Sequence, residues 1–143
     1  GLLTTGNIGN QKVYAIKPLT FMNNSGICIR ELLEYFKIES ADVIVFHDDL
    51  DIDFGKIKAK FGGASAGHNG VASIDKFIGK DYSRVRIGIG RPNPKINVSD
   101  YVLNDFNDDE KQEIDKITFN IIDSLLILIE KKLDLFSSTV NNK

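Results

Sequence analysis

Three short stretches of the 143-residue sequence combine asparagine, histidine or aspartate with glycine, a mixture suited to polar catalysis beside a close-fitting backbone. The first is Thr20-Phe21-Met22-Asn23-Asn24-Ser25-Gly26. Asparagine and serine here can cap a helix by accepting bonds from its unpaired first-turn amides. The tandem carboxamides can also offer a peptide group a donor and an acceptor without adding charge. The second stretch, His47-Asp48-Asp49-Leu50-Asp51, gathers acids around an imidazole. Two chemistries fit it: a divalent cation held by convergent carboxylates, or a carboxylate that orients a catalytic imidazole. The third, Gly62-Gly63-Ala64-Ser65-Ala66-Gly67-His68-Asn69-Gly70, looks at first like a phosphate cradle. It has neither the Gly-Lys-Ser/Thr ending of a P-loop nor a Gly-x-Gly-x-x-Gly fingerprint, which disfavours nucleotide hydrolysis. Its glycines instead let the chain pass close to a ligand, while His68 and Asn69 enter the next helix at its positive end. A histidine at a helix start is otherwise simply a cap.

Charge adds a second signal. The 18 basic and 20 acidic side chains leave a net −2, which points to neither a nucleic-acid coat protein nor a membrane-surface protein. The distribution is uneven: residues 39–53 carry six acids and no Lys or Arg, whereas residues 56–95 carry nine Lys or Arg against Asp75 and Asp81. Such blocks can be ordinary solvated faces. Here, however, Lys56, Lys58 and Lys60 alternate along one face of one predicted strand, and Arg84 and Arg86 along one face of another. Cations on rigid strands can hold a phosphate at a fixed distance from a reacting centre, so an RNA or phosphorylated ligand becomes a candidate.

The elements that must carry these groups follow from hydrophobic period. Residues 13–16 read as a strand stopped by Pro18, and Ile29, Leu32, Leu33 and Phe36 mark an amphipathic helix from Ser25. Residues 43–46 form a continuous apolar run, as in a strand buried on both faces, which delivers His47 and Asp48 at its end. Residues 56–61 and 84–89 alternate as strands, with Gly88 and Gly90 extending the arginine face for something to approach the backbone. Val71, Ile74, Phe77 and Ile78 mark a helix stopped by Gly79.

Beyond Pro92 and Pro94, Asn107 or Asp108 caps one long helix with two apolar stripes. Ile114, Ile117, Ile121, Leu125 and Leu128 form one; Phe119, Ile122, Leu126, Ile129 and Leu133 form the other, giving a wide face to lay against the sheet. Strands and helices alternate, so the expected fold is α/β: a three-layer sandwich, a twisted mixed, mostly parallel sheet flanked by helices, in one domain over residues 1–143. The longest apolar stretch, residues 125–129, is far shorter than the roughly 20 residues that cross a bilayer. The single cysteine, Cys28, cannot form an internal disulfide and has no sequence neighbour that would activate it. It reads as an inert thiol, and a reducing cytoplasm fits.

Taken in order, Pro18-Leu19-Thr20-Phe21-Met22-Asn23-Asn24-Ser25-Gly26, His47-Asp48-Asp49-Leu50-Asp51, Gly67-His68-Asn69-Gly70 and Arg84-Val85-Arg86-Ile87-Gly88-Ile89-Gly90-Arg91-Pro92 resemble the bacterial-type peptidyl-tRNA hydrolase family. The resemblance extends to a lid-like Val98-Ser99-Asp100-Tyr101-Val102-Leu103. It implies hydrolysis of the ester between a peptide, or an N-blocked aminoacyl group, and tRNA. Asn23, Asn69 and His68 would then serve catalysis, and Asp48 would orient the family's catalytic histidine. Phe21 and Met22, with Asn23 and Asn69, would contact the peptide portion, and Lys60 and Arg86 would clamp the tRNA 5′-phosphate. No metal or other cofactor is implied, since an activated water, a base and amide donors suffice for ester hydrolysis.

The sequence departs from the family at its start. The family's initial glycine- and proline-bearing strand and its Arg-His-Asn-like segment have no counterpart from Gly1 onward. The expectation is a domain incomplete at its N-terminus, lacking the catalytic histidine, with apolar surface and sheet edges uncovered, and a monomer when complete. A family-derived RNA-binding module without catalysis is the alternative, followed by a metal-dependent phosphate-ester or nucleotide hydrolase built on His47 and its neighbouring acids.

Overall fold

The computed structural model describes residues 2–17, 25–65, 67–90 and 108–142. The expectations for Phe21, Met22, Asn23, Asn107, Arg91 and the lid-like residues 98–103 lie outside the described residues. Contacts divide the chain into two compact units, Gly1–His47 with Lys60–Val85, and Asp48–Ala59 with Arg86–Lys143.

The first unit opens with a hairpin, β1 (Leu2–Ile8) and β2 (Gln11–Lys17), paired antiparallel with Ile8 opposite Gln11. The two residues left to turn the chain, Gly9-Asn10, are of the types that tight hairpins favour. Helix α1 (Ser25–Phe36) packs on α2 (Asn69–Ile78) so closely that a Cβ on Gly26 would collide with the Ser73 carbonyl and lie 2.7 Å from the Phe77 ring. At this approach the Gly26 N–H donates to the Ser73 hydroxyl at 3.0 Å. Ile29, Ile74 and Tyr82 form the core beneath the helices, joined by Ile16, Leu33, Val43, Val45 and Ile78.

Strands β3 (Ile44–Asp49), β4 (Ile57–Phe61) and β5 (Ser83–Gly88) form a sheet in the order β3-β5-β4. The bonds Ser83 N–H to Val43 C=O and Ile89 N–H to Asp49 C=O run β3 and β5 parallel. Those from Gly62 to Tyr82 and from Gly88 to Lys56 run β5 and β4 antiparallel. The fold is thus α/β, with a sheet of mixed strand orientation flanked by helices.

In the second unit the single long helix expected from the two stripes is three helices: α3 (Asp108–Asp123), α4 (Leu125–Ile129) and α5 (Leu133–Asn141). The chain breaks at buried Ser124, whose N–H is shared between the Asn120 and Ile121 carbonyls, and again at Lys131, whose φ of 63° no helix accommodates. The first stripe is buried at Ile117, Ile121 and Leu128, while Phe119 and Ile122 of the second are 67% and 64% exposed. Strand β4 is an edge of the sheet, and α5 covers it with polar side chains. Asn141 accepts from Ile57 N–H at 2.9 Å and donates to Ile57 C=O at 2.8 Å, and the Ser137 hydroxyl accepts from Ala59 N–H at 2.9 Å. An edge satisfied in this way offers no ladder to a foreign strand.

Candidate active site

In the first unit, the α2 entrance follows from local geometry. His68 is extended (φ −77°, ψ 113°) and caps the helix, its Nδ1 accepting from Val71 N–H at 3.2 Å. The tautomer implied by that bond carries its proton on Nε2, so the far side of the ring is a donor. Its ring meets that of buried His47 edge-on, centroids 5.2 Å apart, so the ends of β3 and of the glycine-rich stretch do converge. Asn69, the first residue of α2, is exposed at the helix's positive end. Lys60 is exposed on β4, its aliphatic chain lying along Gly63.

Arg84 behaves otherwise than expected. It is 1% exposed and is no part of a surface cation patch. Its Nη2 donates to Asp75 Oδ1 at 2.7 Å, and the Tyr82 hydroxyl donates to the same oxygen at 2.6 Å. Burial, and then the bond to Asp75, hold the Tyr82 phenol far above its ordinary pKa. The acid that neutralises Arg84 comes from α2, distant in sequence from the acidic run.

In the second unit, β3 ends with half-buried Asp48 and buried Asp49. Asp49 Oδ1 accepts from Asp51 N–H at 2.8 Å, which folds the acidic run into a tight turn. Asp49 Oδ2 lies 3.5 Å from Arg86 Nη1, and Arg86 remains 30% exposed against 3% for its partner. A buried carboxylate therefore anchors a cation that still reaches solvent, a role for Asp49 that the sequence reading missed. The approach expected at Gly88 is made by the chain itself: a Cβ there would collide with the Asp53 carbonyl and lie 2.7 Å from Ile52 Cγ2. Among the described residues, no three His, Cys, Asp or Glu side chains cluster in a way that could hold a metal ion.

The family model described as peptidyl-tRNA hydrolase matches residues 1–143. The chain belongs to the peptidyl-tRNA hydrolase family. The peptidyl-tRNA hydrolase of Pelagibacter ubique is 77% identical over 143 residues, covering 100% of this chain and 77% of the relative. That of Ehrlichia canis is 44% identical over 141 residues, covering 99% of this chain and 72% of the relative. The crystal structure of the Acinetobacter baumannii peptidyl-tRNA hydrolase superposes with a TM-score of 0.87 at 31% identity, over 96% of this chain and 70% of that one. The family is one of enzymes, and no helix of the described residues is long and apolar enough to cross a membrane.

Proposed function

We propose that this chain hydrolyses the ester joining a peptide, or an N-blocked aminoacyl group, to tRNA in the cytoplasm, where translation strands such molecules. Water adds to the ester carbonyl as a base takes its proton; the tetrahedral oxyanion then collapses, and the ribose oxygen leaves with a proton. Asn69, exposed at the positive end of α2, donates to the peptide portion and to the developing oxyanion together with Asn23. Lys60 and Arg86 bind the tRNA 5′-phosphate.

The observation that carries the assignment is the family match over residues 1–143, with a peptidyl-tRNA hydrolase 77% identical over the whole chain. The His68 Nδ1 is engaged by Val71 N–H in capping α2, so that nitrogen does not take the proton from water. His47 is buried against the His68 ring. In this reading neither His68 nor His47 is the base; the resemblance gives that role to the family's catalytic histidine, which Asp48 would orient.

The test compares hydrolysis of N-acetyl-aminoacyl-tRNA by this chain and by the same chain preceded by the N-terminal residues of the Pelagibacter relative. Turnover by the extended form alone is expected. Equal turnover by both would overturn the missing base, and tRNA binding without turnover by either would favour an RNA-binding module. In the extended form, Asp48→Ala and Asn69→Ala should each lower kcat by about 10²-fold while tRNA affinity changes little.

A further inference from the structure

The glycine-rich stretch delivers His68 and Asn69 to the α2 entrance, yet it is poorly suited to holding anything in place. Gly62, Gly63 and Gly67 have φ of 72°, 105° and 80°, and glycine brings the widest conformational freedom of any residue. Hydrogen bonds must supply the constraint. Gly62 N–H donates to Tyr82 C=O at 2.9 Å where the stretch leaves the sheet, and His68 N–H donates to Ser65 C=O at 2.9 Å where it enters the helix. Between them the stretch is tied to the body of the unit by Arg84, whose Nη1 donates to Ala64 C=O at 3.4 Å.

The same guanidinium reaches the other side of the junction. Its Nη2 bonds Asp75, on α2 beyond Asn69, and its Cζ lies 4.6 Å from the centre of the Tyr82 ring. One planar, buried cation thus grips the chain before His68, at Ala64, and after Asn69, at Asp75. Lysine could not do this, because a single ammonium lacks the two divergent nitrogens. A buried ion pair adds little net stability compared with apolar side chains of the same volume. Arg84 also keeps its Nε buried without a hydrogen-bond partner. Such an arrangement is costly as a stabiliser and effective as a geometric constraint.

We propose that Arg84, fixed by Asp75 and Tyr82, is a positioning residue that sets the orientation of the His68–Asn69 segment for catalysis without touching substrate. The inference rests on the hydrolase reading given above. Its test uses the N-terminally extended enzyme with Arg84→Lys, and with the apolar pair Arg84→Met plus Asp75→Leu, which removes both charges together.

For Arg84→Lys, kcat should fall tenfold or more with KM within twofold, and amide hydrogen exchange of residues 62–68 should accelerate while that of α1 stays unchanged. The apolar pair should melt near the parent temperature and remain slow. Recovery of kcat along with melting temperature in the apolar pair would show a merely structural role and overturn the proposal, as would unchanged kcat in Arg84→Lys. If the unsubstituted extended enzyme shows no turnover, the hydrolase reading has failed and with it the catalytic part of the inference. The exchange data then decide separately whether Arg84 holds the stretch, and unchanged exchange would overturn that as well.

Discussion

Replacing Asn141 with alanine removes both hydrogen bonds that close the outer edge of β4, at 2.9 and 2.8 Å, and leaves the N–H and C=O of Ile57 without partners. Ile57 is 0% exposed, so neither group regains water without local opening. A buried polar group stripped of its partner costs roughly 1–3 kcal/mol, and two of them, eased by some water entry, come to about 2–4 kcal/mol. With a urea m-value of about 2 kcal/mol per molar, the unfolding midpoint should fall by about 1–2 M at constant m. Asn141→Asp discriminates a specific amide pairing from simple polarity. Its carboxylate can still accept from Ile57 N–H but faces Ile57 C=O with no donor, so it should be at least as damaging as alanine. The opened edge should also raise the concentration dependence of aggregation, since an unpaired β4 offers its ladder to other chains. Urea titrations followed by far-UV circular dichroism measure this directly. A midpoint within about 0.3 M of the parent for alanine, or an aspartate variant of parental stability, would refute the edge-closing role.

Three further outcomes are expected. Lys60→Ala and Arg86→Ala should each weaken tRNA binding and flatten the slope of log K against log salt by about one unit, and unchanged slopes would remove these cations from the phosphate clamp. Arg86→Ala should also lower the melting temperature, because Asp49, its side chain 3% exposed, loses the cation beside it; Lys60→Ala should not. Tyr82 gives an alkaline signature. Its folded pKa is raised by burial and the Asp75 bond, so the unfolded chain loses the phenolic proton first as pH rises. Its contribution is therefore complete below about pH 10 and declines above that by up to about 1.4 kcal/mol per pH unit, until the folded phenol also ionises. Tyr82→Phe should remove that component of the alkaline loss of stability, and an unaltered pH dependence in the variant would contradict it.

Alternation and the apolar run locate two strands of the sheet, since residues 44–46 and 57–61 lie in β3 and β4, but β3 is not buried on both faces as expected, because Phe46 is 45% exposed. Strand β1 has no such signal. Its residues are almost all exposed, so no period marks it, and Gly9-Asn10 was the available turn signal. The C-terminal helices were merged because periodicity survives a break. Ser124 and Lys131 interrupt the backbone while Ile117, Ile121 and Leu128 stay on one buried stripe. The counter-ion of Arg86 is Asp49, a residue to which the sequence analysis assigns no role of its own. Strand alternation carries that information, because it places Asp49 on the same face as buried His47.

Arg84 and Arg86 show why charge counting alone could not divide the site from its support. They stand two residues apart on β5, share a face, and are the same residue type in the same alternation. What separates them is the reach of an acid: Asp75 on α2 meets a guanidinium 1% exposed, whereas Asp49 meets one whose side chain stays 30% exposed. The first arginine has its charge consumed inside the fold and can act only through what it holds. The second keeps part of its charge at the surface, where the proposed phosphate clamp needs it, while its carboxylate partner limits its freedom. A strand that presents both therefore serves two ends with one residue type, and the assignment of each follows from the location of its counter-ion, which only the folded chain supplies.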